Sequence, residues 1–255
     1  MSYKRPLSNI LSALFDINHI FGILRAIFIY KNPLKSLNSY IFMSPVKVNQ
    51  IGVKFKGNII FDISSIDDLI TIHEIFCRRD YEAPNDAEVI VDFGSNIGIS
   101  SIFFHKCAPK AKIFLFEPDQ RNLTVLRENL SRFNFDFELN EVAVTASTDG
   151  FVQFGIMDSG RYGGVGLDTG NIIEVPAKSA SSILKEIISQ YDEIDVLKID
   201  VENLEGEILE SLDTSILSKI KLMFIEFPKN VKPQINGFNM KCIGQVCCYK
   251  RKTLH

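Results

Sequence analysis

The chain has 255 residues, 46% hydrophobic and 23% charged, which suits one large globular domain or a domain with an added arm and excludes a disordered or collagen-like chain. Its 28 basic and 31 acidic residues give a net charge of −3, which argues against a nucleic-acid binder. The charge is segregated: residues 1–43 carry +4, residues 228–255 carry +6 and the stretch between them −13, so an acidic body is flanked by two basic ends.

Residues 7–30 read as an amphipathic helix. Ser8, Ser12, Asp16 and His19 form a narrow polar stripe, and Leu7, Ile10, Leu11, Leu14, Phe21, Leu24 and Phe28 form a broad apolar side. Asp16, His19 and Arg25 interrupt the run, so a spanning helix is not expected. The basic start is not followed by a small-residue cleavage site. The apolar side has three candidate partners: the body of the chain, a second copy in a homodimer, or a membrane surface met peripherally. Asn32-Pro33 closes this helix, and residues 33–42 read as a second, shorter one. Residues 51–63 alternate about Lys56-Gly57-Asn58, which predicts a hairpin. Ser65, with Asp67 and Asp68 behind it, predicts a capped helix running towards Arg79. Residues 1–82 thus read as an accessory helical and hairpin region, and residues 83–255 as the main domain.

From Glu88 the pattern becomes alternating. Strands are expected near residues 89–91, 112–116, 136–145, 151–156, 171–177, 194–199, 222–227 and 243–249. Helices are expected over 97–106, 118–133, 179–190 and 204–212. That order predicts an α/β fold, a parallel sheet with helices on both faces. The five cysteines, Cys77, Cys107, Cys242, Cys247 and Cys248, are odd in number and contain no C-x-x-C pair. Neither a disulfide framework nor a zinc site is expected, and the reading is a reducing, cytoplasmic compartment.

The chemistry is concentrated in Val89-Ile-Val-Asp92-Phe-Gly94-Ser95-Asn96-Ile-Gly98, a strand, a glycine turn and a helix start. Ligands of open α/β sheets bind at the carboxyl ends of strands, where the strand order reverses. A second acid, Glu117, ends the next strand, where a carboxylate can accept both hydroxyls of a ribose. The dinucleotide fingerprint fails, because Asn96 stands where the diphosphate-admitting glycine would be. A phosphate-free nucleoside cofactor such as S-adenosylmethionine does not need that opening, so methyl transfer is favoured over hydride transfer.

Asp92-Phe-Gly-Ser-Asn-Ile-Gly98, Phe116-Glu-Pro-Asp119, Glu128-Asn-Leu130 and Leu197-Lys-Ile-Asp-Val-Glu202 together resemble the FkbM-type methyltransferases, over roughly residues 80–227. The resemblance implies a Rossmann-like seven-stranded sheet with the last strand antiparallel, S-adenosylmethionine as cofactor, and usually O-methylation of a small molecule or a glycan, with a sugar hydroxyl favoured. It implies a cofactor site of Asp92, Gly94, Ser95, Asn96, Gly98, Glu117 and Pro118, with Asn140 and Ala143 beside the adenine. Asp200 and Glu202, ending the fourth strand of that pattern, are the expected catalytic base or acceptor-orienting groups. Glu226 is expected to meet the acceptor, as are Arg161 and Tyr162 in a glycine-rich loop that suits a lid. The fourth-strand motif departs from the family at Asn203, where a glycine is usual. Glu226 is followed by Phe227 rather than by the family's histidine. No metal is expected. A polyketide-like acceptor, or a non-catalytic protein of this fold acting through its N-terminal helix, are the alternatives; the retained glycines favour the enzyme.

Overall fold

The computed structural model describes residues 17–42, 49–147, 149–156, 163–228 and 231–252. Helices α1 (Ile17–Ile29) and α2 (Pro33–Phe42) precede the hairpin β1 (Gln50–Lys54) and β2 (Asn58–Asp62). Ser65 caps α3 (Ile66–Ile72) as expected: its hydroxyl accepts from the Asp68 amide, and Asp68 Oδ2 accepts from the Ser65 amide in return. The helix then widens into a π-helical turn, His73–Arg78, which ends at Arg79 with φ +67°. Such widened turns are rare and recur at functional sites.

The main domain follows as β3 (Val89–Phe93), α4 (Ile99–Cys107), β4 (Lys112–Phe116), α5 (Gln120–Leu130) and β5 (Phe137–Asn140). Next come β6 (Ala143–Thr145), β7 (Gly150–Ile156), β8 (Gly163–Val165) and β9 (Ile172–Ser179), then α6 (Ala180–Tyr191) and β10 (Ile194–Ile199). The chain continues with α7 (Glu205–Ser211), α8 (Thr214–Leu217), β11 (Ile220–Glu226), β12 (Phe238–Ile243) and β13 (Val246–Arg251). Seven strands form one sheet in the order β12-β13-β11-β10-β3-β4-β5. The last strand, β13, runs antiparallel to both of its neighbours, and the pairings from β11 through β5 are parallel. Both predicted properties, the α/β class and the antiparallel last strand, are therefore present. β6 to β9 form a separate four-stranded sheet in the order β6-β9-β7-β8.

Strands β3 and β10 are buried along their whole length, because both faces of the sheet are covered. Side chains alternate between those faces. Val89, Val91, Phe93, Leu197 and Ile199 pack towards α6 and α7. Ile90 and Val196 pack on the other side, with Phe103 and Phe104 of α4. That second core runs on without a break into Tyr30, Tyr40, Val53, Phe61 and Phe76 of the accessory region. Asn129 stitches the two together. Its amide nitrogen donates to Asp62 O (3.1 Å) and Ile97 O (2.9 Å), and its oxygen accepts from the Asp62 amide (2.7 Å).

Two expectations need correction. The single strand over 243–249 is a hairpin, β12 and β13, joined at Gly244-Gln245, where Gly244 supplies the positive φ (+61°) of a tight two-residue turn. That turn places Cys242 opposite Cys247, and the two form a disulfide. Spacing rules look for neighbours in sequence, and this pair is made by strand register. In the first helix, the small-residue side meets the body. Gly22 and Ala26 are buried, His19 stacks near Tyr40 and His73, and Phe21, Leu24 and Phe28 face outward. Residues 7–16 of the predicted helix lie outside the described residues. Among the described residues no helix is long and apolar enough to cross a membrane.

Replacing Asn129 with Ala should leave Asp62 N–H and Ile97 C=O without their partners and cost about 2–4 kcal/mol of stability. Urea unfolding measures this, and a loss below about 1 kcal/mol would mean that the stitch contributes little.

Candidate active site

Strand order reverses between β3 and β10, and a crevice lies beyond the carboxyl ends of the two strands. The loop after β3 is fixed on every side. The Gly94 and Ser95 amides donate to Phe116 O (3.1 and 2.9 Å), and Ser95 Oγ donates to Asp92 O (2.9 Å) and accepts from the Phe116 amide (3.1 Å). Gly94 has φ +80°, and a Cβ built on it would lie 1.8 Å from the Asp200 carbonyl oxygen. No larger residue fits at that crossing of β3 with the exit of β10. Asn96 takes φ +48° and Gly98 φ +86° at the start of α4.

Beneath this loop lies a buried charge group. Asp92 and Lys198 are register partners on the same face of β3 and β10. Lys198 Nζ sits 3.1 Å from Asp92 Oδ1 and 3.2 Å from Asp200 Oδ2, and donates to Gly94 O at 2.8 Å. Asp92 Oδ2 accepts from Ser100 Oγ (2.7 Å) and Ser101 Oγ (2.8 Å). Burial works against the Lys198 charge, but the two carboxylates outweigh it and hold the ammonium above its ordinary value. Lys198 thus ties the glycine turn to the β10 exit.

Glu117 leaves β4 into the same crevice. Oε2 accepts from the Asn96 amide (3.0 Å), and Oε1 from the Asp119 amide (2.9 Å) and Asn122 Nδ2 (3.2 Å). Burial pushes its carboxyl up to about 7, and those hydrogen bonds only partly offset the effect. On the other side, Glu202 and Asn203 both adopt left-handed backbone, φ +61° and +70°. Asparagine tolerates that conformation better than most residues, which is how it serves where the family has glycine. Two such residues in succession store strain beside the cavity. Glu205 Oε1 accepts from the Val201 amide (3.1 Å) and closes this turn; burial raises its carboxyl.

The crevice is a cavity of about 810 Å³, within the usual range for small-molecule sites. Of the residues singled out from the sequence, Gly94, Ser95, Asn96, Glu117, Pro118, Ala143, Asp200, Glu202 and Glu226 line it. Asp92, Gly98 and Asn140 do not. Asp92 lies behind the turn, and Asn140 uses its carbonyl to accept from the Glu117 amide (3.1 Å). Arg161 and Tyr162 lie outside the described residues. Glu74, Arg78, Asp80 and Tyr81, to which the sequence assigns no role in the site, form a wall contributed by the π-helical turn and the segment after it. Arg78 Nε donates to both oxygens of Asp80 (2.7 and 3.0 Å), and Nη2 lies 3.4 Å from Glu74 Oε1. Burial, with Asp200 and Glu226 next, keeps the Tyr81 phenol protonated. Among the described residues no cluster of three or more His, Cys, Asp or Glu is placed to hold a metal ion.

The site thus combines a fixed glycine turn that lacks the diphosphate-admitting glycine with an acid at the end of the next strand. The family profile described as "Methyltransferase FkbM domain" matches residues 92–239, more than half of the chain. The chain belongs to the FkbM methyltransferase family. It is 25% identical over 217 residues to methyltransferase sdnD of Sordaria araneosa, covering 69% of this chain and 82% of that one. It is 24% identical over 179 residues to the hexuronic acid methyltransferase AglP of Haloferax volcanii, covering 68% and 72%. A 25% match over 193 residues to the AMB antimetabolite synthetase AmbE of Pseudomonas aeruginosa covers 62% of this chain but only 9% of that protein. Among solved structures, a methyltransferase from Geobacter sulfurreducens aligns over 66% of this chain and 72% of its own, with 13% identity and a TM-score of 0.39.

Replacing Lys198 with Met should leave Asp92 buried without its counter-charge and cost about 3–5 kcal/mol in denaturant unfolding. A loss under about 1 kcal/mol would show that Ser100 and Ser101 alone satisfy Asp92.

Proposed function

We propose that the chain transfers a methyl group from S-adenosylmethionine to a hydroxyl oxygen of a sugar or glycan. The observation that carries the cofactor assignment is Glu117. Its carboxyl faces the cavity beside the Gly94 turn, and Oε2 takes one amide, which leaves acceptor capacity for ribose hydroxyls. Val142, Ala143 and Val144 line the cavity nearby and offer an apolar wall for the adenine. When bound, S-adenosylmethionine supplies an activated methyl group on a sulfonium.

The chain's own residues then align the acceptor. Asp200 and Glu202 stand at the β10 exit; one of them orients the acceptor hydroxyl and takes its proton. Lys198 and the crossing of Gly94 with Asp200 keep that carboxylate in register with the cofactor turn. The charge balance bears on the acceptor. Glu74, Asp80, Asp200, Glu202, Glu205 and Glu226 line the cavity, while Arg78 and Lys198 each already face two carboxylates. Such a site favours a neutral or cationic sugar over one bearing a carboxylate. The acceptor class of AglP is therefore carried over only as a sugar, not as a uronic acid.

Calorimetric titration with S-adenosylmethionine should give one site per chain, weakened by about 1.5–3 kcal/mol in Glu117→Ala. Because Glu117 titrates near 7 and the ionised form offers both oxygens as acceptors, affinity should rise between about pH 6 and 8 in the wild type, and stay flat in Glu117→Gln. Wild-type affinity that is unchanged by either variant would remove Glu117 from the cofactor site. Asp200→Asn and Glu202→Gln should lower kcat by up to about 100-fold while changing cofactor affinity little. Full turnover in both variants would place the acceptor elsewhere.

A further inference from the structure

The accessory region carries an apolar surface that the enzyme reaction does not use. Helix α1 turns Gly22 and Ala26 inward, where a Cβ on Gly22 would lie 3.1 Å from His73 and 3.5 Å from the Arg78 backbone. With the small residues spent on that close approach, the large ones point away from the body. Ile17, Ile20, Phe21, Leu24, Ile27 and Phe28 share the outer face at helical spacing, and Leu34 and Phe42 of α2 are exposed as well. Phe28 is 78% exposed and Leu34 87%. These eight residues are a majority of the exposed large hydrophobics among the described residues, gathered in two adjacent helices, and patches of this kind mark interaction sites.

The charge around the patch selects its partner. Between Ile17 and Phe61 the sequence contains six basic residues, Arg25, Lys31, Lys35, Lys47, Lys54 and Lys56, and neither Asp nor Glu. Arg25 and Lys35 are exposed beside the apolar stripe. A two-fold dimer through this face would set Arg25 and Lys35 against their own copies. An anionic surface has the opposite effect. The described part of helix α1, 13 residues, is about 20 Å long, shorter than a hydrocarbon core of about 30 Å. It has the length and the face of a helix that lies in the plane of the headgroups.

We propose that the outer face of α1 and α2 docks on an anionic lipid surface. Docking there places the cavity close to the bilayer. Helix α1 packs directly on the π-helical turn, with Arg25 Nη1 donating to Cys77 O (3.3 Å) and Arg78 O (3.4 Å), and that turn carries Glu74 and Arg78 of the cavity wall. An acceptor anchored in the lipid would meet the site from this side.

Sedimentation of the full chain with vesicles tests this. The chain should pellet with phosphatidylcholine vesicles containing about 30% phosphatidylserine at about 50 mM salt, and much less at about 500 mM or with phosphatidylcholine alone. Leu24→Glu with Phe28→Glu, at two exposed positions, should weaken the partition at least about tenfold and leave S-adenosylmethionine binding unchanged. Lys35→Glu should weaken it at low salt only. Failure to pellet with anionic vesicles, or pelleting that the double variant does not change, overturns the proposal. If the same double variant instead converts a dimer to a monomer, the face belongs to a second copy.

Discussion

The rest of the site depends on a single close crossing, where the backbone of Gly94 lies against the carbonyl of Asp200. Two parallel strands that end side by side at a switch point would ordinarily splay apart. Here they are held together from below by the Lys198 ammonium, which bonds the Gly94 carbonyl and faces both Asp92 and Asp200. A charge so deeply buried survives only because two carboxylates surround it. The arrangement couples the turn that would hold a cofactor to the acids that would meet an acceptor. It explains why a lysine sits near the end of a fully buried strand.

The other groups around the cavity follow from that frame. Glu117 is held by amides of the turn and of the start of α5, so its position is set by the same crossing. Glu202 and Asn203 bend the chain sharply after β10 in left-handed backbone, and Glu205 caps the bend. The accessory region is part of the same body. Its π-helical turn supplies one wall of the cavity, and Asn129 binds its hairpin to the carbonyl of Ile97 at the head of α4.

Much of this was legible in the sequence, for local reasons. Ile194–Ile199 reads as a buried strand from its Ile, Val and Leu residues, and the structure keeps those bounds. Ser65 with Asp68 is a capping pair, and Ser179 and Asp119 cap their helices as side-chain acceptors, which moves the predicted starts by a residue or two. What the sequence hid was non-local. Tyr81, Arg78 and Asp80 reach the cavity because the π-helical turn packs against α4, and no periodicity announces that. Asp92 reads as a ligand-facing acid, but register turns it towards Lys198 on the covered side. The hairpin at Gly244 and the disulfide across it were missed because Gly-Gln is a weak turn signal inside an apolar run. Which partner the apolar side of α1 meets is left open by the sequence; Gly22 and Ala26 let the helix axis come closest to the body on its small-residue side.

The central claim is that the crossing of β3 and β10 positions a nucleoside cofactor against Glu117 and its reactive sulfur against the β10 exit. A crystal structure of the chain with S-adenosylhomocysteine tests it most directly. The account predicts ribose hydroxyls within hydrogen-bond distance of Glu117, with the sulfur facing Asp200 and Glu202. A nucleoside bound away from Glu117, or turned so that its sulfur points from those two acids, would contradict it.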